Sequence, residues 1–134
     1  MKKRMILLTV LLSLLFCTSC GRKASPITLP QPEDILTVQI TEGSETITHS
    51  DADWICEMIL QMTDARPTRR QSVQDVPMAD SWLKIEMEQL SGMSVIYAYE
   101  DGGRFYLEQP YQGIYQIDGY LYEMLREEAY DEEA

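Results

Sequence analysis

The stretch that decides the fold is residues 81–108, SWLKIEMEQLSGMSVIYAYEDGGRFYLE. Apolar and polar side chains alternate in three runs, which Ser91-Gly92 and Asp101-Gly102 separate as candidate two-residue turns. Alternation of this kind is typical of strands that bury one face. An Asp-Gly pair favours the type I′ turn of a tight hairpin. We therefore predict three consecutive antiparallel strands.

The two turns together predict which residues enter the core. If both are two-residue loops, Ala98 lies opposite Phe105 and also opposite Ile85. A shift of one residue in either hairpin would send its side chains to the opposite face. Because both turns select the same face, we predict a core built from Leu83, Ile85, Met87, Ile96, Ala98, Phe105 and Leu107.

The second face of these strands mixes charge with tyrosine: Lys84, Glu86, Glu88, Val95, Tyr97, Tyr99, Arg104, Tyr106 and Glu108. It is either a solvated face with cross-strand pairs or a binding face, since tyrosine offers contact area and a hydroxyl. With the tyrosines of the loop that follows, the candidate ligand-binding residues are Tyr97, Tyr99, Arg104, Tyr106, Tyr111 and Tyr115.

The flanking segments complete an α+β fold. Leu36, Val38 and Ile40 alternate in a first strand, and residues 46–48 are a short returning strand at most. Ser50 is the expected N-cap of a helix that buries Ile55, Met58, Ile59 and Met62, with Cys56 and Leu60 widening its apolar face. Asp118 caps a last helix with Leu121, Met124 and Leu125 inward. We predict an antiparallel meander of four or five strands with both helices on one face, in the order β-α-β-β-β-β-α.

The N-terminus has the layout of an export signal. Met1–Arg4 is basic, and residues 5–16 are apolar but span only about 20 Å as a helix, short of a bilayer core. Ser19-Cys20-Gly21 resembles the lipobox of bacterial lipoproteins, although Cys17 stands where the family prefers leucine. The resemblance implies cleavage before Cys20 and a diacylglyceryl group on its sulfur. Ordinary secretion and an uncleaved anchor are the alternatives.

Cleavage would alter both charge and organisation. The chain carries −11 overall, whereas residues 20–134 have eight basic and 22 acidic residues, a net charge of −14. Such an acidic domain is a poor fit to nucleic acid. We predict a signal peptide over 1–19, a lipidated cysteine and proline-rich tether over 20–32 reaching about 35 Å, a domain over 33–126, and an acidic tail over 127–134.

Two further stretches carry a family resemblance. Residues 105–115, FYLEQPYQGIY, and residues 72–77, SVQDVP, resemble an uncharacterised domain of Firmicute lipoproteins. That likeness implies export and the extent of the domain, and it transfers no catalytic residue.

The chemistry-bearing residues indicate no enzyme. His49 is the sole histidine and borders a helix cap, Cys56 lacks a local base, and no nucleophile or phosphate-loop motif occurs. We therefore expect a non-catalytic binding or inhibitory module for a protein, peptide or cell-wall ligand, without a cofactor or metal. It would be lipid-anchored on the outer face of the cytoplasmic membrane. The alternative is a structural or accessory subunit of an envelope complex, such as a transporter or membrane sensor.

Overall fold

A computed structural model describes residues 23–127 of the chain. The predicted signal peptide, Cys20 and residues 128–134 of the predicted tail lie outside this range. The strands are β1 (Ile35–Glu42), β2 (Glu45–His49), β3 (Arg66–Pro67), β4 (Leu83–Gln89), β5 (Gly92–Asp101), β6 (Arg104–Gln109) and β7 (Gly113–Ile117). The helices are α1 (Ala52–Thr63) and α2 (Gly119–Glu127), and a 3₁₀ turn at Pro32–Asp34 precedes β1.

All seven strands form one antiparallel sheet in the order β2-β1-β4-β5-β6-β7-β3. Both helices cover the same face, where Met58 and Met62 of α1 and Leu121 and Leu125 of α2 are fully buried. The predicted α+β class, with helices on one face, is confirmed. The sheet is larger than predicted because β2 and the two-residue β3 add a strand at each edge.

The predicted core face is also confirmed. Leu83, Ile85, Met87, Ile96, Ala98 and Leu107 are buried in one cluster, and Phe105 packs against it. Phe105 in turn stacks on Tyr122 of α2, with ring centroids 4.6 Å apart. Burial of this continuous apolar surface is the main force that holds the helices on the sheet.

The pairing register differs from the prediction by two residues in both hairpins. Ile85 lies opposite Ile96, and Ala98 opposite Leu107. The β5–β6 turn is Gly102-Gly103, with φ of 61° and 76°, because a type I′ turn needs positive φ at both central residues and glycine adopts it without steric cost. Since side chains alternate with period two, a shift of two residues leaves every residue on its predicted face.

Three local predictions are wrong. Leu36 is exposed, because a bulge between Ile35 and Thr37 turns Ile35 into the core in its place. The cap of α1 is Asp51, not Ser50, and its carboxylate accepts a 2.8 Å hydrogen bond from Trp54 N. Cys56 is exposed, and so is Leu60, because the buried stripe of α1 is narrower than predicted.

The first described residues are not a free tether. Ala24 N donates to Thr68 O at 3.0 Å, and the Tyr115 hydroxyl donates to Ser25 O at 2.7 Å. The side-chain amide of Gln109 both accepts from Thr28 N and donates to Thr28 O. With Ala24, Ile27 and Leu29 also packed against the core, the segment lies along one end of the sheet instead of extending 35 Å away from it.

Candidate binding site

The second face of the sheet is covered by residues 68–82, here called the connection. After β3 the chain crosses this face without further regular structure before it enters β4. Its start is fixed by Thr68, whose N and Oγ1 donate to Ile114 O at 3.0 and 2.7 Å. Its end is fixed by Trp82, whose ring meets the edge of Tyr97 at 5.3 Å between centroids.

Arg70 holds the connection to the β5–β6 hairpin. Its guanidinium pairs with Asp101 at 3.3 Å and lies over the Tyr106 ring, 5.1 Å from the centroid. Both partners are partly exposed, so this ion pair adds little stability alone. Its effect is to place the arginine charge against the carboxylate at the hairpin turn.

A buried carboxylate lies beneath the centre of the connection. Glu108 of β6 is only 2% exposed. Its Oε1 accepts from the Ser72 hydroxyl at 2.7 Å, and its Oε2 accepts from the Tyr99 hydroxyl at 3.2 Å. Burying an ionised carboxylate is costly unless hydrogen bonds compensate. The two hydroxyls therefore explain how Glu108 is accommodated and why Ser72 is buried with it.

Tyr99 remains a proton donor in this arrangement. Burial raises the pKa of its hydroxyl well above the usual value of 10.0, and the neighbouring Glu108 carboxylate raises that pKa further. The phenol therefore stays protonated and continues to donate to Glu108 throughout the neutral range.

A cavity of about 580 Å³ is lined by the connection and the second face of the sheet, and it continues around the end of the sheet to Tyr122 and Arg126 of α2. Glu108 and Tyr99 line its inner wall, and Met78 and Ser81 of the connection line its outer wall. It extends to the end of the sheet that carries the β5–β6 turn, at Gly102. Because Ala24 and Thr28 are held at the opposite end of the strands, we call it the distal cavity. Its volume is that of a small-molecule or short-peptide site.

Tyr111 fixes the β6–β7 turn to the connection. It has φ of 63°, which lies in the left-handed region that non-glycine residues adopt rarely. Its hydroxyl donates to Asp75 at 2.7 Å, and its N donates to Ser72 Oγ at 3.3 Å. The two resemblance stretches, 72–77 and 105–115, are therefore in direct contact, and these contacts hold Ser72 over Glu108.

The predicted ligand-binding residues are not brought together on one open surface. Tyr97, Tyr99 and Tyr106 are buried beneath the connection, and Tyr115 faces the helices. Only Tyr99 of the six lines the distal cavity. Arg104 is exposed at the hairpin turn, and Tyr111 is exposed beside the connection.

Sequence reasoning missed the roles of Ser72 and Glu108 in this site. A polar connection gives no periodic signal, so its path across the sheet was not predicted. One signal was present in the sequence. Glu108 was predicted to share the second face with tyrosines, whose hydroxyls can donate hydrogen bonds to a carboxylate. Within residues 23–127, no three His, Cys, Asp or Glu side chains are grouped so that they could hold a metal ion.

Comparison with known proteins gives two positive findings. A family model, DUF5301, described as a domain of unknown function, matches residues 23–116. An NMR structure of a protein from Ruminococcus gnavus is similar at a TM-score of 0.65 and 30% sequence identity, covering 75% of this chain and 99% of that one. No curated protein matches the chain. None of the described helices is long and apolar enough to cross a membrane.

Proposed function

This chain belongs to the DUF5301 family of unknown function, and we propose that it is a lipid-anchored extracytoplasmic protein that binds a ligand without catalysis. The ligand would occupy the distal cavity and be a protein, peptide or cell-wall segment. The observation that carries the proposal is the cavity itself, which is walled by a buried carboxylate and a tyrosine on a rigid sheet. Preformed concavities of this size are typical of ligand binding, and the lining of this cavity is mostly polar and charged.

The anchoring half of the proposal rests on the N-terminal sequence. Cys20 follows a basic and apolar leader in the lipobox pattern, and only residues 21–23 separate it from Ala24. An extended chain covers at most about 14 Å between Cys20 and Ala24. A lipid on Cys20 would therefore hold the docked end of the sheet near the bilayer, with the distal cavity facing away from it.

A second candidate function is supported by a different surface. Leu36, Leu90 and Met93 are exposed at the sheet end where β4 turns into β5, and Leu90 is 93% exposed. We call these three residues the apolar tip. Exposed apolar groups mark protein contacts when they are grouped. The apolar tip favours the alternative, an accessory subunit of an envelope complex.

Lipid attachment is tested by labelling cells with a radioactive fatty acid. We expect the wild type and the Cys56→Ala variant to incorporate label and to sediment with membranes. The Cys20→Ala variant should lose both properties. Label retained by Cys20→Ala would rule out the proposed anchor.

The binding surface is tested by capture from envelope extracts with detergent-solubilised full-length protein. Ser81→Trp fills the mouth of the distal cavity, whereas Ser91→Trp places the same bulk beside the apolar tip, and both positions are exposed. We expect Ser81→Trp to lose the captured ligand and Ser91→Trp to keep it. If Ser91→Trp lost the captured ligand and Ser81→Trp kept it, the accessory-subunit function would be favoured over the binding module.

A further inference from the structure

We propose that the end of the sheet beside the docked N-terminal segment contacts the lipid bilayer when the protein is anchored. The contacting side chains are the apolar tip together with Val73 and Tyr111, and we call these five residues the proximal surface. The inference rests on the lipid anchor proposed above and adds a second membrane contact, made by the folded domain itself. It assigns the apolar tip to lipid instead of a partner protein.

The first argument is that the proximal surface and the docked segment share one end of the sheet. Because successive antiparallel strands reverse direction, the β4–β5 turn with Leu90 and the β6–β7 turn with Tyr111 lie at the same end. These two turns are two strand spacings apart, about 10 Å. Leu36 enters β1 at this end, and Val73 lines a shallow depression with Ala24 and Tyr111.

The second argument is the lack of charge at this end. The side chains of the proximal surface are 47% to 93% exposed. The docked segment 24–32 and the stretches 89–94 and 109–113, which hold the two turns, contain no charged residue. The turns at the opposite end are flanked by charge, with Glu42 and Glu45 around one and Asp101 and Arg104 around the other. One end of the sheet therefore suits a bilayer surface and the other suits water.

The third argument is the length of chain between the lipidated cysteine and the domain. Ala24 N is bonded to Thr68 O at 3.0 Å, and Thr28 Oγ1 donates to Gln112 Oε1 of the β6–β7 turn at 3.2 Å. From Ala24, an extended chain reaches Cys20 within about 14 Å. A diacylglyceryl group on Cys20 would place its sulfur at headgroup level. The anchor therefore brings the proximal surface, and not the charged end, to the bilayer.

The composition of the proximal surface indicates a shallow contact. Leucine, methionine and valine transfer favourably to the boundary between headgroups and acyl chains, and tyrosine is enriched at that level. Four acids border the surface: Glu33, Asp34, Asp75 and Glu88. They disfavour deeper insertion, and they predict a weaker contact with anionic than with zwitterionic bilayers.

The test uses lipidated full-length protein, purified from cells and reconstituted into phosphatidylcholine vesicles. Cleavage removes Cys17 and the lipid occupies the Cys20 sulfur, so an introduced cysteine is the sole free thiol in a Cys56→Ser background. A nitrobenzoxadiazole probe is attached at Leu90→Cys or, as the control, at Met78→Cys beside the distal cavity. We expect blue-shifted emission at position 90, with quenching by lipid spin-labelled near the top of its acyl chain. Position 78 should show neither effect.

A probe at Val73→Cys tests the surface without altering the apolar tip. Its quenching by spin-labelled lipid should be lost when Leu90→Ser and Met93→Ser are combined, because the tip then no longer holds this end on the bilayer. Met78→Ser, an exposed apolar residue at the distal cavity, is the matched control and should leave the quenching unchanged. Quenching at position 73 that survives the double substitution would remove the tip from the contact.

The outcomes separate this inference from the proposed anchor. Flotation of the protein with vesicles reports the anchor, whereas quenching reports the contact. Protein that floats with vesicles but gives equal emission and no quenching at positions 90 and 78 would overturn this inference alone. A blue shift at position 90 without lipid quenching would also overturn it and assign the surface to a second copy of the chain. Wild type that neither carries a lipid nor floats would overturn the anchor and the inference that rests on it.

Discussion

At the scale of single residues, the domain depends on a few close approaches that only particular side chains allow. Gly113 is the clearest case, because a Cβ at this position would overlap Ala24 Cβ and press on the Tyr115 ring. The docked N-terminal segment therefore requires glycine at the start of β7, for space and not for backbone freedom.

Gly113→Ala should destabilise the domain by about 1–3 kcal/mol, the usual cost of overpacking. Adding Ala24→Gly removes one of the two overlaps and should restore about half of the loss, because the two sites are in contact. Urea unfolding of the single and double variants measures this coupling. Additive effects would show that the N-terminal segment does not dock at Gly113.

The raised pKa of Tyr99 predicts a loss of stability in alkali. Below pH 10 the tyrosine is protonated in both the folded and the unfolded chain, so it adds no pH dependence. Above pH 10 the unfolded chain releases a proton that the folded chain retains, and unfolding becomes easier as pH rises. Burial also raises the pKa of Tyr115 and Tyr122, so these two residues contribute to the same loss of stability in alkali.

Tyr99→Phe should therefore be less stable than the wild type at pH 8, where it loses a hydrogen bond to Glu108, but should lose stability less steeply above pH 10. Urea midpoints measured from pH 8 to pH 11.5 test this. Tyr120→Phe is the matched control, since Tyr120 is exposed on α2. An unchanged alkaline slope in Tyr99→Phe would contradict the proposed burial of the phenol.

At the scale of elements, the connection determines what the second face of the sheet can do. Ser72 is its central contact, because its hydroxyl donates to Glu108 and accepts from Tyr111 N. Ser72→Ala should cost about 1–3 kcal/mol by leaving buried polar groups unsatisfied. Ser81→Ala, at an exposed position, should change the free energy of unfolding by less than about 0.5 kcal/mol. Equal effects would mean that the connection is not held through Ser72.

Sequence reasoning succeeded for elements wherever periodicity is the signal. The core face was predicted correctly although both turns were placed one residue away, since the resulting register error of two residues preserves the face. It failed where no period exists. The path of the connection depends on Thr68, Arg70 and Ser72, whose partners lie 31–46 residues away. The second face was therefore predicted to be open, and the site beneath the connection could not be predicted.

The errors at Leu36 and Cys56 have a different origin. Alternation alone cannot reveal the bulge that exchanges Ile35 for Leu36 at the core. The helical period of α1 is correct, but the width of its buried stripe depends on how the helix lies on the sheet. In the structure that stripe consists of Ile55, Met58, Ile59 and Met62, and Cys56 falls outside it.

At the scale of the whole molecule, the two ends of the sheet differ in what they carry. The N-terminal segment docks at the end that carries the β6–β7 turn, and the distal cavity opens at the end that carries the β5–β6 turn. β6 has six residues and rises about 3.4 Å per residue, so the two ends of the sheet are roughly 20 Å apart. An anchored domain would thus present its cavity to the space beyond the membrane.

The most direct test of this account is site-specific photo-crosslinking in intact cells with full-length protein. A photoreactive residue replaces either Met78, 88% exposed at the distal cavity, or Leu90, 93% exposed at the apolar tip. We predict a discrete adduct from position 78 that disappears in the Ser81→Trp background, and none from position 90. An adduct from position 90 alone would contradict the binding module and assign the contact surface to the apolar tip.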